Sequence, residues 1–178
     1  MSRPILSTLV ATLAAASFLS CGSPVHDEQV AALGPEAPGE HPGPLHRGGQ
    51  PCLTCHGSFG PSHTGFAIAG TVFRAGDDKT PVEGAYVTFT TLENDSVAVQ
   101  TNSAGNFFVT QDKWPLHFPL HVNVTYDYTD KTGAPQHIQM LMASRIDRDG
   151  SCGDCHRDPA SPQSFGHIYL SAAAADLP

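Results

Sequence analysis

The pattern C-x-x-C-H occurs twice in this chain, as Cys52-Leu53-Thr54-Cys55-His56 and as Cys152-Gly153-Asp154-Cys155-His156. One turn of backbone lets both cysteines of such a motif reach the same side, and the histidine follows directly behind them. This is the spacing that attaches a c-type haem: two thiols add across two vinyl groups, and the histidine becomes the proximal iron ligand. The two copies predict two covalently attached haem c groups, one on Cys52 and Cys55 with His56, the other on Cys152 and Cys155 with His156. Covalent attachment also relaxes what the fold must do. It keeps the cofactor on a small, exposed domain that burial alone would not let retain it.

The remaining cysteine agrees with this. Of the five cysteines, four lie in the two motifs, and Cys21 follows an apolar run from Ile5 to Leu19 behind Arg3. That run is too short to span a bilayer and stands at the N-terminus, so residues 1–20 read as a signal peptide. Phe18-Leu19-Ser20-Cys21 resembles a bacterial lipoprotein cleavage site, with Phe18 where Leu is usual, and this makes Cys21 the expected lipidation site. Ordinary signal peptidase cleavage nearby is the alternative. No thiol is left over for a structural disulfide, and export delivers the chain to the compartment where haem c is attached in bacteria. Gly22-Ser23 after Cys21 carries no aspartate that would mark inner-membrane retention, so an outer-membrane lipoprotein, facing the periplasm or the cell surface, is expected.

Residues 21–50 carry Pro24, Pro35, Pro38, Pro42 and Pro44 among glycines and read as a disordered linker that tethers the folded part to the membrane. Residues 51–65 form the first haem-binding segment, 66–145 a β-sandwich, 146–171 the second haem-binding segment and 172–178 a frayed Ala-rich tail. The sandwich is read from period-two alternation. Phe66, Ile68, Gly70 and Val72 start it; Ala85, Val87 and Phe89, then Val97 and Val99, then Phe107 and Val109 continue it. Leu120, Val122, Val124, Tyr126 and Tyr128 give the clearest run, and Ile138, Met140 and Met142 the last. Short strands between turn residues predict a mainly β chain, an antiparallel Greek-key sandwich flanked by the two haem-binding loop segments.

Three stretches sharpen this: Ala69-Gly70-Thr71-Val72-Phe73, Pro81-Val82-Glu83-Gly84-Ala85-Tyr86-Val87, and Thr101-Asn102-Ser103-Ala104-Gly105-Asn106-Phe107. Their P-V-x-G-A-x-V and T-x-x-x-G-x-F elements resemble the carboxypeptidase regulatory-like, transthyretin-related domains. The resemblance covers about residues 66–128 and implies a structural or binding module with no catalytic residues to carry over. Taken whole, His46-x5-Cys52-x2-Cys55-His56, the sandwich, and a second C-x-x-C-H close to Gly166-His167-Ile168-Tyr169-Leu170 resemble small exported dihaem proteins of bacteria.

Strand parity bears on where the motifs lie. Six antiparallel strands bring the entry to the first and the exit from the last to one pole of the sandwich; a seventh would put them at opposite poles. The alternation gives six, so the two haems are expected side by side.

Distal ligands are less constrained. His46, in the glycine-bearing stretch before Cys52, is the first candidate, followed by His167, His137 and His63. His26 and His41 read as solvated linker residues, and His121 as an exposed residue on the polar face of its strand. Met140 and Met142 would give a His/Met iron, although core packing explains them as well. Trp114 and Tyr126 suit either the lining of a haem or ordinary packing, and the sequence does not decide between them.

The formal charge of −8 argues against nucleic acid and suits a cationic redox partner protein. Electron transfer outside the cytoplasm, without catalysis, is the expectation. The alternatives are a small haem enzyme, peroxidase-like or gas-reactive, with an open iron site, and a non-redox module whose cysteines hold zinc. No nucleophile elbow, phosphate loop or paired-carboxylate signature is present in the sequence.

Overall fold

The computed structural model of the chain describes residues 23–36 and 38–171. The leader at 1–20, Cys21 and the tail at 172–178 lie outside the described residues. Two four-stranded sheets pack face to face. The strands are β1 (Phe66–Ala75), β2 (Asp78–Pro81), β3 (Tyr86–Thr90), β4 (Ser96–Gln100), β5 (Asn106–Thr110), β6 (His121–Thr129), β7 (Pro135–Leu141) and β8 (Ile168–Ser171). In the first sheet β1 pairs with β2, β5 and β8; in the second the order is β4-β3-β6-β7. β3 and β6 are neighbours although β4 and β5 lie between them in sequence, with β5 in the opposite sheet. This is the Greek-key crossing that the alternation led us to expect.

Alternation places the core. Ile68 and Val72 of β1, Val87 and Phe89 of β3, Phe107 and Val109 of β5 and Val124 of β6 turn inward, and Leu120 and Trp114 close one side. Each buried aliphatic or aromatic side chain contributes roughly 1.5–3 kcal/mol of transfer free energy. The two elements that carried the family resemblance touch each other: the Ala85 amide donates to Thr101 Oγ1 at 2.9 Å. The turn that follows is held by Asn102 Oδ1, which accepts from the Ala104 and Asn106 amides. Gly105 completes it at φ +72°, where a Cβ would lie 2.4 Å from the Val72 carbonyl oxygen.

All six strands read from alternation are present, with two additions. β2 is polar and largely exposed, so it has no apolar period. β8 lies inside the segment expected to be only a haem-binding loop, and it runs parallel to β1, pairing Val72 with Ile168 and Phe73 with Tyr169. On β7, Met140 is 39% exposed rather than packed in the core, and Ile138 alone of that strand packs against it.

The proline-rich segment is partly structured. Pro24–Ala32 forms the helix α1, opened by a proline in its first turn with Asp27 beside it. Its apolar residues are not gathered into a stripe strong enough to show as a helical period. Farther on, residues 44–49 lie across the outer face of the first sheet. Asn106 Nδ2 donates to the carbonyls of Pro44 and His46 at 3.2 and 2.9 Å, and the Gly49 amide donates to Thr71 Oγ1 at 2.8 Å. Thr71 Oγ1 in turn donates to Asn106 Oδ1 at 2.7 Å, so one buried polar pair straps this stretch to the sandwich.

Candidate functional site

Each C-x-x-C-H motif forms a single helical turn, α2 (Leu53–His56) after Cys52 and α3 (Cys152–Cys155) before His156. The histidine amide closes the turn in both, donating to the Cys52 carbonyl at 2.9 Å and the Cys152 carbonyl at 2.8 Å. The loop behind each motif folds back on the carbonyl of its second cysteine: the Ser62 amide donates to Cys55 and the Phe165 amide to Cys155. The same loops fix the imidazoles. His56 Nδ1 lies 2.8 Å from the Thr64 carbonyl oxygen, and His156 Nδ1 lies 3.2 Å from that of Gly166. A carbonyl at Nδ1 holds the proton there and leaves Nε2 as the free lone pair, which is the tautomer a metal ligand needs. Burial holds His156 below the ordinary histidine pKa and so favours its neutral form.

The two motifs touch. A Cβ on Gly153 would lie 2.7 Å from Pro51 Cα and 2.9 Å from the Gln50 carbonyl oxygen, so α3 lies directly against the entry to α2. A Cβ on Gly70 would meet Cys152 Cβ at 2.8 Å. The second motif reaches this place because the chain before it is stitched to β1: the Ala69 amide donates to the Gly150 carbonyl at 3.0 Å, and Ala69 bridges Ser151 in parallel. The expectation that both motifs lie together therefore holds, by a route other than strand parity.

A cavity of about 670 Å³ opens beside the first motif, within the roughly 300–1,000 Å³ typical of cofactor sites. Cys52, Cys55 and His56 line it together with His46, Phe66 and Phe108. The His56 ring stacks on Phe66 at 4.1 Å, and Phe66 stacks on Phe108 at 4.6 Å. His46 stands 5.8 Å from His56 between ring centroids, with planes at 64°. Its Nδ1 lies 3.0 Å from Glu36 Oε1, close enough for an ion pair but not aligned as a hydrogen bond. Arg47 holds this corner, donating to Glu36 Oε1 at 3.4 Å, to the Gly34 carbonyl at 2.8 Å and to Gln50 Oε1 at 2.8 Å. Two thiols and two imidazoles, one ring edge-on to the other, line one cavity beside a flat aromatic stack, and these are donor types that would hold an iron porphyrin.

At the second motif Cys152 is buried and Cys155 exposed. Burial pushes the thiols of Cys52 and Cys152 up to about 11 and about 12, so neither is a thiolate at neutral pH. The thiolate is the form that disulfide exchange uses. Among the described residues no three His, Cys, Asp or Glu side chains converge on one point.

The other distal candidates fare differently. His167 is buried, with Nδ1 2.9 Å from both Asp158 carboxylate oxygens and Nε2 2.8 Å from the Ala75 carbonyl, so neither nitrogen is free for iron. His137 lies on the outer face of the second sheet, its Nδ1 2.6 Å from Asp127. His63 is exposed and does not line the cavity. Met142 is half-buried behind β7, and Trp114 donates to Asp95 Oδ2 at 3.0 Å as a packing residue. The alternation set Phe66 on the face of Ile68 and Val72 and passed over Phe108; the two rings meet because the β1–β5 register shifts between Phe66 and Ile68. It gave no sign of Glu36, Thr71 or Asn106, which act through the folded-back strap.

No family model, no curated protein and no solved structure matches the chain. Among the described residues no helix is long and apolar enough to cross a membrane.

Proposed function

We propose that this chain is an exported dihaem c-type cytochrome that carries electrons. The observation that supports this most is that His46 and His56, with ring centroids 5.8 Å apart, line the same cavity of about 670 Å³ as Cys52 and Cys55. Cys52, Cys55 and His56 would hold the first group with His46 opposite, and Cys152, Cys155 and His156 the second. Bound there, iron porphyrin supplies a reversible one-electron couple whose potential is set by axial ligands, burial and local charge.

The chain's own residues do the rest. The Thr64 and Gly166 carbonyls fix the proximal rings, and Phe66 and Phe108 keep water from one side of the cavity. The contact of Gly153 with Pro51 holds the two sites in one cluster, so an electron arriving at either has a short path to the other. The charge of −8 steers a cationic redox partner toward the protein. Lipidation at Cys21 would hold it at the outer membrane.

Intact-mass analysis of protein matured in a host with haem-attachment machinery tests the reading. The expected product carries two haem masses and shows visible bands that shift reversibly on reduction. A colourless product with the bare polypeptide mass overturns it.

A further inference from the structure

A second cavity, of about 330 Å³, takes no part in the reading above. Three segments wall it: Leu53 of α2, the loop from β5 to β6 with Trp114 and Phe118, and Arg148-Asp149-Gly150 ahead of Cys152. Phe66, whose ring stacks on His56, lines this cavity as well as the first. None of the motif cysteines or histidines lines it. The walls are anchored by the fold itself. The Gly150 carbonyl accepts from the Ala69 amide, Asp149 Oδ1 accepts from the Ser151 amide at 2.8 Å, and Trp114 Nε1 donates to Asp95.

The lining selects a kind of ligand. Phe66, Trp114 and Phe118 bring three aromatic side chains to one space, and with its N–H committed to Asp95 the indole offers only carbon there. A volume at the lower end of the range for small-molecule sites fits a single ring. The polar side chains at the cavity are Ser58, Gln111, Arg148 and Asp149. Arg148 is exposed, and among the described residues no hydrogen bond or ion pair engages it. Asp149 beside it carries the opposite charge, so the pair presents no net charge to a ligand. Gln111 commits its amide nitrogen to the Phe66 carbonyl at 3.4 Å, which leaves Oε1 as an acceptor. A free donor and a free acceptor without net charge suit a hydroxyl, which both accepts and donates. A carboxylate would meet Asp149 and a chain of charge −8, and an ammonium would meet Arg148.

We propose that this cavity is a binding site for a small uncharged phenol. The ring lies among Phe66, Trp114 and Phe118, and the hydroxyl accepts from Arg148 and donates to Gln111 Oε1. The site stands apart from the cytochrome reading, because no residue that would hold a haem lines it.

The test is titration of the full chain with 4-methylphenol, which is uncharged at neutral pH. Calorimetry measures the binding, and the indole N–H resonance of Trp114, the chain's single tryptophan, locates it. One molecule binds per chain with Kd below about 1 mM, and the Trp114 resonance shifts in step. Benzoate and benzylammonium, rings of similar size that carry a charge, bind about tenfold more weakly. So does 4-methylcyclohexanol, which keeps the hydroxyl and lacks the flat ring. Arg148→Gln changes an exposed side chain that holds nothing else in place. It weakens 4-methylphenol several-fold and, with Asp149 left as the lone charge, makes benzylammonium bind more tightly than benzoate. The proposal is overturned if 4-methylphenol does not bind, or if it binds without moving the Trp114 resonance. It is also overturned if a charged ring or 4-methylcyclohexanol binds the parent protein as tightly, or if Arg148→Gln leaves the affinities unchanged.

Discussion

His46 and His56 face each other with ring centroids 5.8 Å apart, each with Nδ1 turned toward an oxygen: a glutamate carboxylate for His46 and a backbone carbonyl for His56. The difference matters because Glu36 places a negative charge 3.0 Å from the His46 ring without an aligned hydrogen bond, and a nearby negative charge favours the more positive state of a metal that the ring would bind.

Glu36→Gln is therefore expected to raise the midpoint potential of the first site by tens of millivolts, about 59 mV corresponding to a tenfold change in equilibrium constant. His46→Ala should convert that site to high-spin iron with haem content unchanged. Redox titration followed optically, beside paramagnetic resonance, reads both. A Glu36→Gln protein with unaltered potentials would mean that the carboxylate only anchors Arg47.

His167 was attractive as a ligand from its place in the sequence, and its environment argues for a different role. It joins Asp158, itself 3.0 Å from Lys79, to the end of β1 through the Ala75 carbonyl, next to the Gly166 carbonyl that fixes His156. His167→Gln should lower stability by about 1–3 kcal/mol, the usual cost of leaving buried polar groups unpaired, while both irons stay low-spin. Denaturant unfolding with a spectrum of the native state checks both halves. Appearance of a high-spin signal would restore His167 as a ligand.

Gly153→Ala tests the contact between motifs. A Cβ there would lie 2.7 Å from Pro51 Cα, against backbone that has no side-chain freedom to yield. The expected cost is about 1–3 kcal/mol of overpacking, with narrower separation between the two redox waves as the sites move apart. Unchanged stability and unchanged waves would show that the motifs are not held together at this point.

The fold is also expected to sense acid through the β6–β7 turn. Asp130 is held down to about 2 by the Thr132 hydroxyl first, then by the Ala134 amide, the Gln136 side chain and the Thr132 amide. Its folded value lies below the ordinary 3.8, so its contribution is present above that value and is lost as the pH falls through about 2. The gap in melting temperature between the parent protein and Asp130→Ala should be constant from neutral pH to about 4 and should close by about pH 2. A gap that persists at pH 2 would assign the effect to turn geometry instead of charge.

The β architecture was legible because six strands bury one face and wet the other, so Val87, Phe89, Val122 and Val124 announce themselves at period two. β2 did not, because Asp78, Lys79 and Thr80 bury nothing. β8 was hidden for a different reason: a parallel partner ninety-odd residues away leaves no local trace in Ile168–Ser171. The motifs themselves and His46 were visible as chemistry. Helix α1 was not visible, because it packs on α2 without an apolar stripe of its own, and in sequence it stands among prolines and glycines that read as solvent-exposed chain.

The parallel pairing of β8 with β1 sets the order in which this molecule is completed. The first strand to emerge during synthesis keeps an open edge until the last strand arrives, and the Gly150–Ser151 stitch that seats Cys152 uses the same strand. Such long-range closure is slow relative to local hairpins. On the cytochrome reading, haem attachment at the second motif would take place while its end of the sheet is still unzipped, and a chain stopped before Ile168 would be left with a bare strand inviting aggregation.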